Sequence, residues 1–261
     1  MYRPYVITSP PWETTSGGVR VMYGLYGALL MKGQVVFLNQ RPTTGDCIGI
    51  YPEIEHGNPA NASTVVRYIL NKPGVVPAIY DNGAVKKGPT QFDSNDKLYY
   101  FSRLFGEANK DHYLFLPILN THIFKDQGKQ RTKTAYFVGK GINYDIAKSV
   151  HPKDSILITR DLAQDQEDLA DLLNECQVLY CYDPVTAMTE IARLCGCRVV
   201  MINPVYTKEE FMQYEPGMNG ISWGDDQGVV LDTKGFRSHY TDMKRTFGMG
   251  LDRLIEETQK G

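Results

Sequence analysis

A chain of 261 residues with 28 Lys+Arg against 30 Asp+Glu is nearly neutral, with a formal net charge of −2. It is long enough to bury a sizeable core, as one large domain or two small ones, and lacks the basic excess that non-specific nucleic-acid binding requires. The opening MYRPYVITSPPW has too short an apolar run for a signal peptide, and no later stretch is long enough to span a bilayer, so a soluble cytoplasmic protein is expected.

The chain begins with a short strand over Tyr5 to Thr8 and a loop, SPPWETTSGG. A helix follows from about Gly18 to Met31, its apolar face read as Val19, Met22, Tyr23, Tyr26, Leu29 and Leu30. Gly33 closes it, and Gln34 to Leu38 is a buried strand. This βαβ unit has Gly17 and Gly18 at the helix entrance but lacks the G-x-G-x-x-G fingerprint, which disfavours a nicotinamide or flavin cofactor. Ile48 to Glu53 reads as another strand, and Asn61 to Leu70 as a helix ending at NKPG. Glu53 and His56 fall on the loop between them, where binding residues tend to sit. Residues 80–95 are turn-rich, Lys97 to Phe105 and Tyr113 to Leu119 are aromatic-rich, and KDQGKQRTK, residues 125–133, reads as a linker.

The second half opens with a strand over Thr134 to Val138, then Gly139-Lys140-Gly141, which places a lysine at the carboxyl edge of a sheet. Ser155 to Thr159 is the next strand, followed by Arg160 and an acidic amphipathic helix over Leu162 to Leu173. Then comes CQVLYCYDPVTAMTEIARLCGCRVVMIN, residues 176–203. Its two β-branched runs read as parallel strands covered on both faces. Between them Asp183 is placed to cap a helix, Pro184 suits its first turn and Gly196 ends it. That helix carries Glu190 where an apolar residue would be expected. A short KEEFMQY helix follows, then WGDD, whose Asp225 and Asp226 invite a metal reading but suit a solvated turn better. The last helix is amphipathic, with Phe236, Tyr240, Met243, Phe247, Leu251 and Leu254 at helical spacing. The odd count of five cysteines argues against a disulfide scaffold, and their places on strands and a helix end argue against zinc.

The segment YD-x-x-T-x-x-x-E-x-x-x-x-G-C-x-V-V resembles the donor-binding segment of GT-B glycosyltransferases. The opening SGGVRVMYGLYGALLMKGQVVF resembles their first βαβ unit, and YPEIEHGNPANASTVVRYILNKPG resembles a segment of bacterial surface-polysaccharide (O-antigen or capsule-type) members. The resemblance implies an α/β fold of two Rossmann-like parallel-sheet domains, a compact version of the GT-B architecture. The expected division is residues 1–128 for the acceptor side, 129–234 for the nucleotide-sugar side, and 235–261 for a helix packing back on the first domain. It further implies transfer of a sugar from a nucleoside-diphosphate donor to a glycan or lipid-linked glycan, with no cofactor and no essential metal. Glu190 would hold the ribose, Thr186 and its neighbours the phosphates, and Lys140 the leaving diphosphate. Gly17, Gly18, Gly139, Thr159, Arg160, Tyr182 and Asp183 complete the expected donor surroundings.

For an inverting reaction the base would come from Glu53, Glu13 or His56. For a retaining one, the family pattern places a second acid eight residues before Glu190; that position is Tyr182 here, with Asp183 one residue off. Expected partners are the nucleotide-sugar and its acceptor, with peripheral membrane association and a homodimer also in view, and no nucleic acid. The competing classes are a sugar-nucleotide epimerase and a non-catalytic or degenerate nucleotide-sugar binder.

Overall fold

The computed structural model describes residues 2–42, 45–75, 77–79, 85–107, 112–143, 150–224 and 229–260. The chain divides into two compact units: unit 1 is Met1–Ile118 with Met243–Gly261, and unit 2 is Leu119–Asp242. The first part of the chain runs β1 (Tyr5–Ile7), α1 (Gly17–Met31), β2 (Val36–Leu38), β3 (Ile48–Pro52), β4 (Thr64–Ile69), β5 (Pro77–Ile79), β6 (Val85–Lys87) and β7 (Lys97–Tyr100). The second runs β8 (Lys133–Phe137), β9 (Ile156–Leu157), α2 (Gln166–Glu175), β10 (Cys176–Cys181), α3 (Met188–Leu194), β11 (Arg198–Met201), α4 (Lys208–Phe211), β12 (Ile221–Trp223) and α5 (Thr233–Gln259).

Each unit is built on a five-stranded sheet, in the order β2-β1-β3-β4-β7 for unit 1 and β12-β11-β10-β8-β9 for unit 2. Every neighbouring pair in both sheets is parallel. Counted in chain order within each unit, both sheets read 2-1-3-4-5, a doubly wound order whose direction of travel reverses between the first and third strands. The two Rossmann-like parallel-sheet units expected from the sequence are present, and they are consistent with a compact GT-B architecture. In open α/β sheets ligands bind where the strand order reverses, which here is the carboxyl ends of β1 and β3 in unit 1 and of β8 and β10 in unit 2.

In unit 1, Ser16 caps α1 by accepting a hydrogen bond from the Val19 amide at 3.4 Å. Gly33, at φ +71°, allows the left-handed turn beyond the helix. The buried face is Val19, Val21, Met22, Leu25, Ala28 and Leu29, turned from the predicted one: Leu30 is exposed, and Tyr23 and Tyr26 are half-buried. This face packs with Tyr5, Ile48, Val66 and Tyr99 of the sheet and with Phe247, Leu251 and Leu254 of α5.

The predicted helix over Asn61 to Leu70 is instead strand β4, paired with both β3 and β7. Val65, Val66 and Tyr68 favour a pleated surface, and that pairing outweighs the weak helical period. The 53–63 connection and the described parts of the 70–96 connection contain no helix, so coil and the β5–β6 hairpin stand where doubly wound sheets carry helices. Tyr113 makes a single parallel bridge to Tyr100, and the rest of the predicted aromatic segment to Leu119 is irregular.

In unit 2, Asp165 caps α2 by accepting from the Glu167 and Asp168 amides, and Thr207 and Glu210 form a reciprocal capping box on α4. The five cysteines of the chain are all buried free thiols, which fits their reading as small hydrophobes. Asp225 and Asp226 lie outside the described residues, as do parts of the predicted excursion over residues 80–95. No helix among the described residues is long and apolar enough to cross a membrane.

Candidate functional site

The carboxyl edge of the unit 2 sheet is shaped by two turns that interlock. After β8 the chain makes a 3-10 turn over Gly139–Asn143, and after β10 it turns through Tyr182 and Asp183. Gly139 has φ +49°, and a Cβ there would overlap Asp183 Oδ2; a Cβ on Gly141 would overlap the Tyr182 carbonyl. Both glycines are needed because the second turn presses against the first. The buried Asp183 carboxylate accepts from the Lys140 amide at 2.8 Å through Oδ2 and from the Val185 amide at 3.1 Å through Oδ1. Lys140 Nζ donates to the Val185 carbonyl at 2.6 Å and stands 3.4 Å from Asp183 Oδ1.

Asp183 was expected to cap the following helix. It joins the two turns instead, and α3 starts five residues later at Met188, after Ala187, which makes no side-chain cap. Thr186 takes over part of that role, its Oγ1 accepting from the Met188 amide at 3.2 Å. The amides of Thr186 and Ala187 meet no acceptor among the described residues, which leaves two donors at the mouth of the turn. Tyr182 is buried, its hydroxyl accepting from the Val150 amide at 3.0 Å and sharing a 2.8 Å hydrogen bond with His151 Nδ1. His151 stacks on Tyr136 with ring centroids 3.9 Å apart. Thr159 and Arg160 are exposed beyond β9, where Thr159 Oγ1 accepts from the Leu162 amide at 3.2 Å.

Glu190 lies in the first turn of α3 and is only 3% exposed. The Tyr214 hydroxyl donates to its Oε1 at 2.9 Å. Burial, and then the Glu190 charge, hold the Tyr214 phenol well above its ordinary range, so it stays a donor. One turn on, Arg193 is fully buried, and its guanidinium gathers the loop that carries Tyr214. It donates to the carbonyls of Pro216, Gly217 and Asn219 at 3.2, 2.8 and 3.1 Å and lies 4.1 Å over the Phe236 ring. Burial pulls its pKa down to about 10, with the Glu190 charge acting in the opposite direction. Its Nη2 meets no acceptor among the described residues. Tyr214 and Arg193 were absent from the sequence reading; the one signal was an arginine three residues after Glu190, inside a helix otherwise apolar.

In unit 1, Glu53 is the first residue past β3 and is 4% exposed, its Oε2 accepting from the Leu70 amide at 2.8 Å. The same Leu70 brings up the entrance of α1: a Cβ on Gly18 would lie 3.6 Å from Leu70 Cδ1, whereas one on Gly17 would meet open space. Ser9, just past β1, is buried, its amide held by Asn39 at 2.8 Å, and its hydroxyl has no partner among the described residues. Glu53, Gly17, Gly18 and Ser9 thus share the carboxyl edge where this sheet reverses. Glu13 is exposed on the intervening loop and accepts from Thr15 Oγ1 at 2.9 Å. His56 is separate from that group, with its Nε2 3.3 Å from the Lys87 carbonyl on the rim of a different cleft. Among the described residues, no three His, Cys, Asp or Glu side chains converge to hold a metal ion.

No protein-family model and no curated protein matches the chain. Among solved structures it is similar to the glycosyltransferase SnogD from Streptomyces nogalater, at 11% identity over 98% of this chain and 99% of that one, with a TM-score of 0.44. It is also similar to the glycosyltransferase VinC in complex with DTDP, at 10% identity over 97% and 100%, with a TM-score of 0.47. A third is the spinosyn rhamnosyltransferase SpnG complexed with thymidine diphosphate, at 11% identity over 98% and 95%, with a TM-score of 0.39. Likenesses this distant assign no role to any residue of this chain.

Proposed function

We propose that the chain is a glycosyltransferase that moves a sugar from a nucleoside-diphosphate donor to a hydroxyl of a glycan or lipid-linked glycan. The observation that carries the reading is the junction at the reversal point of unit 2. There the Gly139-Lys140-Gly141 turn locks onto Tyr182-Asp183, with two unused amides at its mouth and Glu190 held behind it. In this reading Glu190 takes the ribose hydroxyls, and the Thr186 and Ala187 amides take the diphosphate. Lys140 leaves the Val185 carbonyl to neutralise the charge of the departing nucleotide. Such preorganised positive groups lower the barrier by stabilising charge that develops only as the glycosidic bond breaks.

Unit 1 supplies the acceptor side, with Glu53 as the base that removes the acceptor proton; its place beside Ser9 and the α1 entrance favours it over the exposed Glu13. The inverting course follows from that choice, because the position eight residues before Glu190 is a buried tyrosine hydrogen-bonded to His151. A surface glycan as product rests on the YPEIEHGNP resemblance.

Calorimetry of the wild type and of Glu190→Ala against UDP, GDP, TDP and their sugars tests the reading. One diphosphate is expected to bind the wild type and to lose roughly tenfold or more in affinity in the variant, the scale of a hydrogen bond to a charged group. If no nucleotide binds, the transferase reading is lost. Donor binding without turnover in any acceptor's presence would leave a non-catalytic binder, and sugar interconversion without acceptor an epimerase.

A further inference from the structure

Away from both reversal points, unit 1 contains a cleft of about 450 Å³ between two coil walls, within the roughly 300–1,000 Å³ range of small-molecule sites. The walls are coil because, among the described residues, no helix covers this part of the sheet face. Tyr51 fixes the first wall, donating to Asn58 Oδ1 at 2.7 Å and accepting from the Ala60 amide at 3.1 Å. Arg67 fixes both. It donates to the Glu55 and Gly57 carbonyls on one side and pairs with Asp96 at 2.7 Å on the other, both side chains nearly buried. Its guanidinium lies between the Tyr51 and Phe92 rings, 5.2 and 5.4 Å from their centroids. Such a floor is set before any ligand arrives, which lowers the ordering cost of binding.

Apart from the His56 ring on the rim, whose Nε2 lies 3.3 Å from the Lys87 carbonyl, the accessible chemistry is mainly that of acceptors. The Glu55 carboxylate and the Gln91 amide make no hydrogen bond to any described residue. Among the described residues Asp93 uses only Oδ1, for the Asn95 amide and side chain, which leaves Asp93 Oδ2 and Asn95 Oδ1 available. The guanidinium charge is paired with Asp96, and three of its five N–H groups go to Asp96 and two carbonyls, so phosphates and nucleotides would meet the Glu55 and Asp93 carboxylates with a cation that is already neutralised. A ligand with several hydroxyl donors and an apolar ring face matches these acceptors and the half-buried Phe92. We infer that this cleft binds a saccharide, as a mono- or disaccharide-sized neutral or amino-substituted pyranoside. The saccharide class rests on the cleft's own chemistry; its service as a holding site for the acceptor glycan rests on the transferase reading above.

The test is titration of the full chain with methyl glucoside, galactoside and mannoside, their 2-acetamido and 2-amino forms, and spermidine, by calorimetry and NMR. Glu55→Gln and Gln91→Ala are titrated in parallel, since neither side chain holds another part of the fold. At least one pyranoside is expected to bind, and each variant to bind it several-fold more weakly while nucleotide affinity stays unchanged. Binding of nucleotide but of no pyranoside would overturn the cleft assignment and leave the transferase reading standing. Pyranoside binding without any nucleotide binding would do the reverse. Pyranoside affinity indifferent to both variants, or binding of spermidine alone, would also overturn it.

Discussion

A carboxylate buried to 3% exposure must be held by donors, and Glu190 receives the Tyr214 hydroxyl, supported by the Arg193-bound loop. Replacing Tyr214 with Phe removes one hydrogen bond to a charged group, with an expected cost of about 1.5–3 kcal/mol in urea unfolding. Nucleotide affinity should fall with it, because the carboxylate loses its orientation; a variant with unchanged stability would show that the pair contributes nothing. Glu190 was legible in the sequence as a carboxylate where an apolar residue would be expected. Tyr214 was not: it lies 24 residues downstream, and no local period connects a helix turn to a loop beyond the next strand. Lys140 was legible as a lysine at a strand end, but its resting partners, the Val185 carbonyl and Asp183, follow from a turn packing that spacing does not encode.

Among the elements, the turn after β8 has the least freedom to change. Gly139→Ala puts a side chain at φ +49° and against Asp183 Oδ2, so the Asp183–Lys140 link must open. A loss of about 1–3 kcal/mol is expected from the backbone alone, together with weakened nucleotide binding, both readable by thermal shift with and without the nucleotide. The strands of the unit 2 core were plain in the sequence because buried parallel strands are continuous apolar runs. β4 was misread because Val65, Val66, Tyr68 and Ile69 satisfy a helical stripe as well as a pleated one, and short apolar runs do not separate the two periods. What decides for the strand is pairing on both sides, to β3 and β7, which lies outside any local window. That misreading also concealed Arg67: it fell inside the expected 61–70 helix with no role read for it, and it is a buried tie between two loops.

For the molecule as a whole, alkaline pH should be the destabilising direction. Burial pushes the Cys176 thiol up to about 11 and the Cys195 thiol up to about 12, while an unfolded thiol ionises near 8.5. Groups with raised folded values contribute stability that is complete below the unfolded value and is lost as pH climbs towards the folded one. The melting temperature should therefore decline from about pH 9 towards pH 11, and less so in Cys176→Ala measured against its own neutral value. Truncation after Asp242 is a separate test. It removes Phe247, Leu251 and Leu254 from the unit 1 core, and the Thr258 hydroxyl, which hydrogen-bonds that of Tyr5 at 2.7 Å. With each large apolar side chain contributing about 1.5–3 kcal/mol, the loss approaches the whole stability of a small domain. Circular dichroism and proteolysis should find unit 1 unfolded in that fragment; a native-like unit 1 would contradict the prediction.

The division of α5 between the units also bears on the order in which the protein is made. Unit 1 begins first, yet its core includes side chains as far along as Leu254, whereas unit 2 is a single stretch, Leu119–Asp242. During vectorial synthesis the later unit has all its parts in hand before the earlier one does. The strands of unit 1 must then wait, with part of an apolar sheet face uncovered, until nearly 140 further residues beyond Ile118 have left the ribosome, a count that follows from the last buried apolar position, Leu254. A nascent chain that has emerged only as far as Asp242 would hold one finished unit and one still in need of a chaperone's shelter.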